Sequence, residues 1–418
     1  MFKIFKLPEL RKKIVFTIFI VAIFRLLAHI PVPGVDTSAI KTYLEQSVFF
    51  GFFDLFSGGG FQNFSIVTLG LGPYINASII VQLLTMLIPS LEEMAKEGEY
   101  GQEKINMYTK LLAVPMSLIQ SYGIYFLLSK QGIINTLHST DLVILLFTFM
   151  AGSMFLVWLG DLLTEHGIGN GISILIFISI VSRLPSTVAV TVTRITSSNY
   201  LITILMLVLV LLTIIGVVLV NEGTRNILLE YGRSSERSQK VTNYLPIKIN
   251  QAGVIPIIFA VSIVSIPGMI GGPLMASGNP KLTGIGAFLT THFQTTSLLY
   301  NVFYFLLVLA FTFFYTFIEF NPDKIADDVK KRGGFIPGIR PGTSTSQYLK
   351  KIVSRTTLIG SLFLGIIAIL PYLTSFIFGP NAISIGGTSL LISVSVVLET
   401  VRQVESLTAT RSYEKFLG

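Results

Sequence analysis

FFDLFSGGGFQNFSIVTLGLGPYINASIIVQLLTMLIP, residues 52–89, decides how the rest of the chain is read. Its second half, Tyr74 to Ile88, is apolar at helical spacing and interrupted by Asn76, Ser78, Gln82 and Thr85. Its first half is unsuited to a helix crossing lipid. Gly58, Gly59 and Gly60 each make a helix interior less favourable by about 1 kcal/mol relative to Ala. Asp54, Gln62 and Asn63 would face hydrocarbon, where an unsatisfied polar group costs several kcal/mol. Such backbone is tolerated at membrane depth only when it is buried in protein or lines a water-filled cavity. The stretch therefore predicts a re-entrant half-segment leading through Gly70, Gly72 and Pro73 into a true span. Its shortness and glycine content predict little apolar burial.

The surrounding composition agrees. Of 418 residues, 51% are hydrophobic and 12% charged, against about 25% charged in soluble domains. Apolar runs long enough for a hydrocarbon core of about 30 Å recur along the chain. An all-α polytopic membrane protein is expected. Cys is absent, which excludes disulfides, thiolate metal sites and cysteine nucleophiles. The first apolar run has no small-residue cleavage site after it, so it is expected to be a retained span.

Ten spans can be drawn, at about 14–33, 73–88, 107–128, 142–160, 172–190, 200–220, 251–270, 297–320, 356–377 and 386–405. Alternating the connections places most of the 30 lysines and arginines on one side. That side holds the N-terminus (Lys3, Lys6, Arg11, Lys12, Lys13), the loops 221–250 and 321–355, and the tail with Arg402, Arg411 and Lys415. The other side holds Lys41, Lys130, Arg183, Arg194 and Lys281. The asymmetry makes the first side cytoplasmic, with both termini there, and accounts for the net charge of +8 without nucleic acid. The spans divide into residues 1–195 and 196–418, five in each half. Halves with an odd number of spans can be related only as an inverted repeat.

The loops 221–250 and 321–355 are too large to be mere connectors. In the second, Gly333-Gly334, Pro337-Gly338 and Pro341-Gly342 bracket a tight turn with Arg340 at its tip. These residues alone leave open a solvated basic loop or a stiff finger presented to a partner.

The chemistry of an enzyme is missing from the pattern. There is no GxxxxGK[ST] phosphate loop, no HExxH pair and no GxSxG elbow. GIGNG at 167–171 precedes a span and reads as a loop letting the next helix start abruptly. Glu165-His166 reads as a helix-end pair facing water. The spans carry almost no ionisable residues. Arg25 is the clearest, with Glu319 and Glu399 near span ends. A secondary transporter shares broken helices and inverted halves, but would place carboxylates near mid-membrane. A structural anchor needs no glycine-rich half-segment. A pore closed by apolar side chains gates by excluding water and needs no charged relay.

Five stretches carry a family resemblance: LGLGPYINASIIVQLLT (69–85), MFLVWLGDLLTEHGIGNGISILIF (154–177), LPIKINQAGVIPIIF (245–259), FFYTFIEFNPDKIADDVKKRGGFIPGIRPG (313–342) and IGGTSLLISVSVVLETVRQVES (385–406). In order and across the whole chain they resemble the SecY family, central channel subunits of the bacterial protein-translocation machinery. The resemblance implies ten transmembrane helices in two pseudo-symmetric inverted halves around an hourglass pore that also opens sideways to lipid. Such a pore passes secretory proteins and releases hydrophobic segments laterally.

It implies a plug formed by Phe53, Asp54, Leu55, Phe56, Ser57, Gly58, Gly59, Gly60, Phe61, Gln62, Asn63, Phe64, Ser65, Ile66 and Val67. It implies a pore ring of Ile75, Ile79, Ile176 (with Ile172 one turn away), Ile258 and Ile392. Spacing agrees in part, since residues four apart share a helix face. Lateral-gate positions are Gln82, Thr85, Gln120 and Asn250, and motor or ribosome contacts are Arg225, Lys248 and Arg340. The implied partners are the small membrane subunits SecE and SecG, the ATPase SecA, the ribosome, signal-bearing preproteins and membrane lipid. No cofactor, metal or other nucleic acid is implied, and the implied location is the bacterial cytoplasmic membrane. Two departures, the serines at Ser234, Ser235 and Ser238 and a tail ending soon after Tyr413, weaken the expected contacts on the cytoplasmic face.

Overall fold

The computed structural model describes residues 8–32, 57–130, 132, 134, 138–185, 189, 200–231, 243–275, 279–378 and 386–417. Helices dominate them: α1 (Pro8–Leu27), α2 (Gly72–Leu87), α3 (Pro89–Lys96), α4 (Glu99–Lys130), α5 (Ser139–His166), α6 (Gly171–Val181) and α7 (Tyr200–Glu222). A hairpin of β1 (Thr224–Tyr231) and β2 (Asn243–Lys248) follows. Then come α8 (Ile255–Met275), α9 (Pro280–His292), α10 (Leu298–Glu319), α11 (Pro322–Lys331), β3 (Gly334–Phe335), α12 (Thr343–Phe378) and α13 (Gly387–Leu417).

Among the described residues, six helices are long and apolar enough to cross a membrane, or up to seven if the bent pair α2–α3 is one span. The pair bends by 102° at Ile88. Ile88 is extended, with φ −109 and ψ 110, as a residue before proline is driven to be. The other three expected spans coincide with α1, α6 and α13. α6 has only 11 residues, and α1 carries Arg11, Lys12, Lys13 and Arg25.

The chain forms two compact units: Met1–Arg194 with Gly271–Ala287 and Val396–Gly418, and Ile195–Ile270 with Phe288–Ser395. In the first, α2 packs on α4, α4 on α5, and α5 on α1 and α6. Its core gathers Val32, Phe61, Phe64, Leu69, Ile124, Leu128, Ile134, Leu145 and Phe149. In the second, α10 and α11 pack on α12, and α7 also touches α12.

α7 shows what solvent the fold is built for. Only Met206, Thr213 and Val217 are buried along it. Leu201, Ile204, Leu207, Leu211, Leu212, Ile215 and Leu219 are all more than half exposed. An apolar surface of that extent is an aggregation site in water and an ordinary one in lipid.

The sheet, with order β2-β1-β3, joins the two large loops that the sequence presents separately. β1 pairs antiparallel with β2, from Thr224↔Lys248 to Leu229↔Asn243. It also pairs antiparallel with β3 through Glu230↔Phe335 and Tyr231↔Gly334. Beneath the sheet, Ile227, Leu229 and Ile247 meet Phe320, Val329, Ile336, Leu349, Ile352 and Val353 in a second core. The described parts of the two loops are thus one packed cap on the second unit.

Candidate functional site

The segment at 57–71 is built from turns. Gly60 donates to Ser57 O, Asn63 to Gly59 O, and Ser65 to Gly60 O at 2.8 Å. The Ser57 hydroxyl accepts from Phe61 N–H at 3.0 Å, and the Thr68 hydroxyl donates to the Ser65 carbonyl. Four contacts then stitch the segment to the end of α1. Arg25 Nη1 donates to Gly58 O at 2.6 Å, and Asn63 Nδ2 donates to Ala28 O at 3.1 Å. Val32 N–H donates to Phe64 O at 2.9 Å and Ile66 N–H to Ile30 O at 3.1 Å. Asn63, one of the polar residues that argued against a lipid-facing helix, is satisfied by protein. Arg25, the sequence's clearest intramembrane charge, is spent on a backbone carbonyl.

On the far side the segment meets α5. Phe64 packs edge-on against Phe149, ring centroids 5.2 Å apart, and Ser153 Oγ donates to Gly70 O at 2.9 Å. At Gly152 the backbones approach so closely that a Cβ would lie 1.9 Å from Ile66 O. Phe64 has φ 45, the only positive φ on a non-glycine among the described residues. A bulky residue there is strained, and persists only where its surroundings over-determine it. The expectation of little apolar burial is overturned, because Phe61 and Phe64 are both 0% exposed. Their partners Val32 and Phe149 come from elsewhere in the chain, so the short segment itself gives no sign of them. Phe53, Asp54, Leu55 and Phe56 lie outside the described residues.

The segment runs directly into α2, which carries Ile75 and Ile79 one turn apart. Ile79, Ile176 on α6 and Ile392 on α13 are buried, while Ile75 and Ile258 are half-buried. α6 starts where GIGNG ends. Asn170 Oδ1 accepts from Ser173 N–H at 3.1 Å as its cap, and the Thr164 hydroxyl accepts from Gly171 N–H at 2.9 Å.

Among the gate positions, Gln82, Thr85 and Gln120 are half-buried. Thr85 Oγ1 donates to Gln82 O at 2.7 Å. Gln120 Oε1 lies beside Gly72, 3.7 Å from where a Cβ would stand. Asn250 is buried and belongs to a bridge that sequence reasoning missed. Its Nδ2 donates to Asn221 Oδ1 at 2.8 Å and to Gly253 O at 3.2 Å. Asn221 Nδ2 donates in turn to Ser395 Oγ at 2.8 Å. The base of the hairpin is thereby tied to α13, one turn from Ile392. The available signal was Asn221 itself, an amide ending an otherwise apolar helix.

Arg225, Lys248 and Arg340 are exposed. The β register places Arg225 opposite Ile247 and Lys248 opposite Thr224, so the two basic residues occupy opposite faces of the hairpin. Arg340 sits in the turn after β3, where Gly338 and Gly342 adopt φ 80 and 104. Thr345 Oγ1 donates to Arg340 O at 2.9 Å, fixing the backbone while the guanidinium stays in water. The Ser346 hydroxyl bonds Asp323, and Asn321 Oδ1 caps α11 by accepting from Asp323 and Lys324 N–H.

Comparison with known proteins gives a consistent answer. Residues 65–401 match the family model described as SecY. A relative from Thermotoga maritima, "Protein translocase subunit SecY", is 41% identical over 429 residues, covering 99% of this chain and 96% of its own length. A relative of the same description from Corynebacterium glutamicum is 40% identical, with 99% and 98% covered. Among solved structures, one concerned with a plug domain that stabilises the closed state of a SecY channel superposes with a TM-score of 0.68 at 20% identity, over 96% of both chains. That likeness is one of fold.

Proposed function

The chain belongs to the SecY family, and on that premise we propose that it forms a protein-conducting channel for secretory proteins, opening sideways to release hydrophobic segments into lipid. The observation that carries the reading is the re-entrant segment, fixed between α1 and α5 and feeding directly into the helix of Ile75 and Ile79. A self-bonded stopper ahead of an apolar constriction suits a pore that must pass a polypeptide and otherwise hold back water and ions. In this reading the ten spans form two inverted halves in the bacterial cytoplasmic membrane, with both termini cytoplasmic.

Ile75, Ile79, Ile176, Ile258 and Ile392 form the constriction and exclude water because none offers it a hydrogen bond. Residues 53–67 are the plug, and Gln82, Thr85, Gln120 and Asn250 line the lateral gate. Driving energy comes from a partner: the ATPase SecA or the ribosome docks on the cap through Arg225, Lys248 and Arg340. SecE and SecG are the companion subunits. Ile392→Asn and Ile258→Asn supply the test. Each should raise ion leak through vesicles containing the complex and admit precursors with defective signals. Unchanged leak and unchanged signal stringency in both would remove them from the constriction.

A further inference from the structure

Residues 271–297 hold a feature that channel function does not use. α9 is joined to two helices read as spans, α8 and α10, by four residues on one side and five on the other. Chain connectivity therefore keeps it at a membrane face.

α9 has two distinct sides. Gly286 is buried, and a Cβ there would stand 2.6 Å from Met275 N and 2.7 Å from Gly271 O. Thr283 Oγ1 on the same side donates to Asn279 O at 3.0 Å. The other side carries Ile285 and Phe288, each 51% exposed, with Leu282 at its edge toward Gly286. At 100° per residue these fall on one stripe, with exposed Lys281 at its start and His292 at its end. His292 stacks on Phe288 with ring centroids 4.3 Å apart, so aromatic surface continues to the polar end. The stripe is continuous along the chain with exposed apolar residues at the adjoining span ends, Ile270 and Met275 before it and Leu298 and Leu299 after it. No acidic residue occurs in 271–297.

We propose that α9 is an interfacial helix, its Ile285–Phe288 stripe, edged by Leu282, seated at the boundary between phospholipid head groups and acyl chains. Lys281 and His292 reach from the two ends of the stripe toward head-group phosphates, as long or amphipathic side chains do at such a boundary. The occupant is lipid because the exposed stripe adjoins span surfaces that already need lipid, and because the charge at its ends suits phosphate. The inference rests on the multi-pass reading but not on transport, so its test stands or falls apart from the channel.

The chain has one tryptophan, Trp158, which makes fluorescence direct. In a Trp158→Phe background, Phe288→Trp is placed in the full complex in vesicles of phosphatidylethanolamine and phosphatidylglycerol. Lipids brominated near the carbonyl end of the chain should quench its emission about twofold more than lipids brominated near the terminal methyl, with acrylamide quenching at least about threefold weaker than for free tryptophan. Ile285→Trp in the same background repeats the reading if the first variant fails to assemble. Strong acrylamide quenching with no effect of bromolipid would overturn the proposal. So would absent bromolipid quenching together with cross-linking of Ile285→Cys to a second copy or a companion subunit.

Discussion

Two irregular, glycine-rich stretches can be set side by side: the segment at 57–71 and the turn at 336–342. Both combine turn-forming residues with a nearby arginine, and both are held in a defined conformation. The means are opposite. The segment is fixed by burial, with Phe61 and Phe64 sealed in a core and its carbonyls claimed by α1 and α5. The turn is fixed by its own backbone, with two left-handed glycines and the Thr345 hydroxyl on Arg340 O, while its tip faces water. Irregular backbone at membrane depth must have every polar group met by protein, whereas at the surface water meets the remainder. Substitutions in the first should therefore act through stability, and in the second through partners.

The largest effect is expected at Gly152. Gly152→Leu drives a side chain into the Ile66 carbonyl, which a Cβ alone would approach to 1.9 Å, and should prevent recovery of the folded complex. Size-exclusion chromatography in mild detergent reads this directly. A normal monodisperse peak would mean that the segment and α5 separate freely.

Phe64→Ala comes next. Emptying a fully buried phenylalanine site typically destabilises by about 3–5 kcal/mol. The strain at φ 45 stays, because Ala keeps the Cβ that causes it, and so offsets none of that loss. Deletion of Gly58 to Phe64 should destabilise the first unit as well, since it removes both phenylalanines from the core. Thermal unfolding of the purified complex tests both, and an unshifted transition in the deletion would restore the expectation of a segment with little burial.

Arg340→Glu should leave that thermal transition untouched and lower motor-driven translocation by about tenfold or more, as loss of a charge-assisted contact of about 1.5–3 kcal/mol implies. Arg340→Lys should retain part of the activity, keeping the charge but losing the planar fork of donors. Full activity in Arg340→Glu would make the turn an ordinary solvated loop.

The smallest effect is expected at Ser395→Ala, which removes the hydroxyl accepting from Asn221 and should cost about 1 kcal/mol. Ser395→Thr keeps the hydroxyl and should behave as the parent in the same melting experiment.

Legibility in the sequence followed the range of the interactions. α2 was readable because Pro73 and Pro89 bound an apolar run at helical spacing, and all of that is local. The Arg340 turn was readable because Pro and Gly write backbone angles into the sequence directly. The cap was not, since β1 meets β3 from about a hundred residues away and only a long-range pairing makes them one sheet. The Asn221–Asn250–Ser395 bridge is hidden for the same reason, with the amide of Asn221 its one local hint. The burial of Phe61 and Phe64 is not legible locally, because residues beside three glycines look like surface until Phe149 is brought against them. The five isoleucines stand apart: nothing in their spacing separates them from other apolar residues, and family resemblance alone selects them.

The most direct test is to arrest a secretory precursor midway through the reconstituted complex and place a photo-cross-linker at one position at a time. The account predicts adducts with the precursor from Ile75, Ile79, Ile176, Ile258 and Ile392, and none from Leu211, which is 58% exposed on α7. Adducts from Leu211 with none from the isoleucines would contradict it.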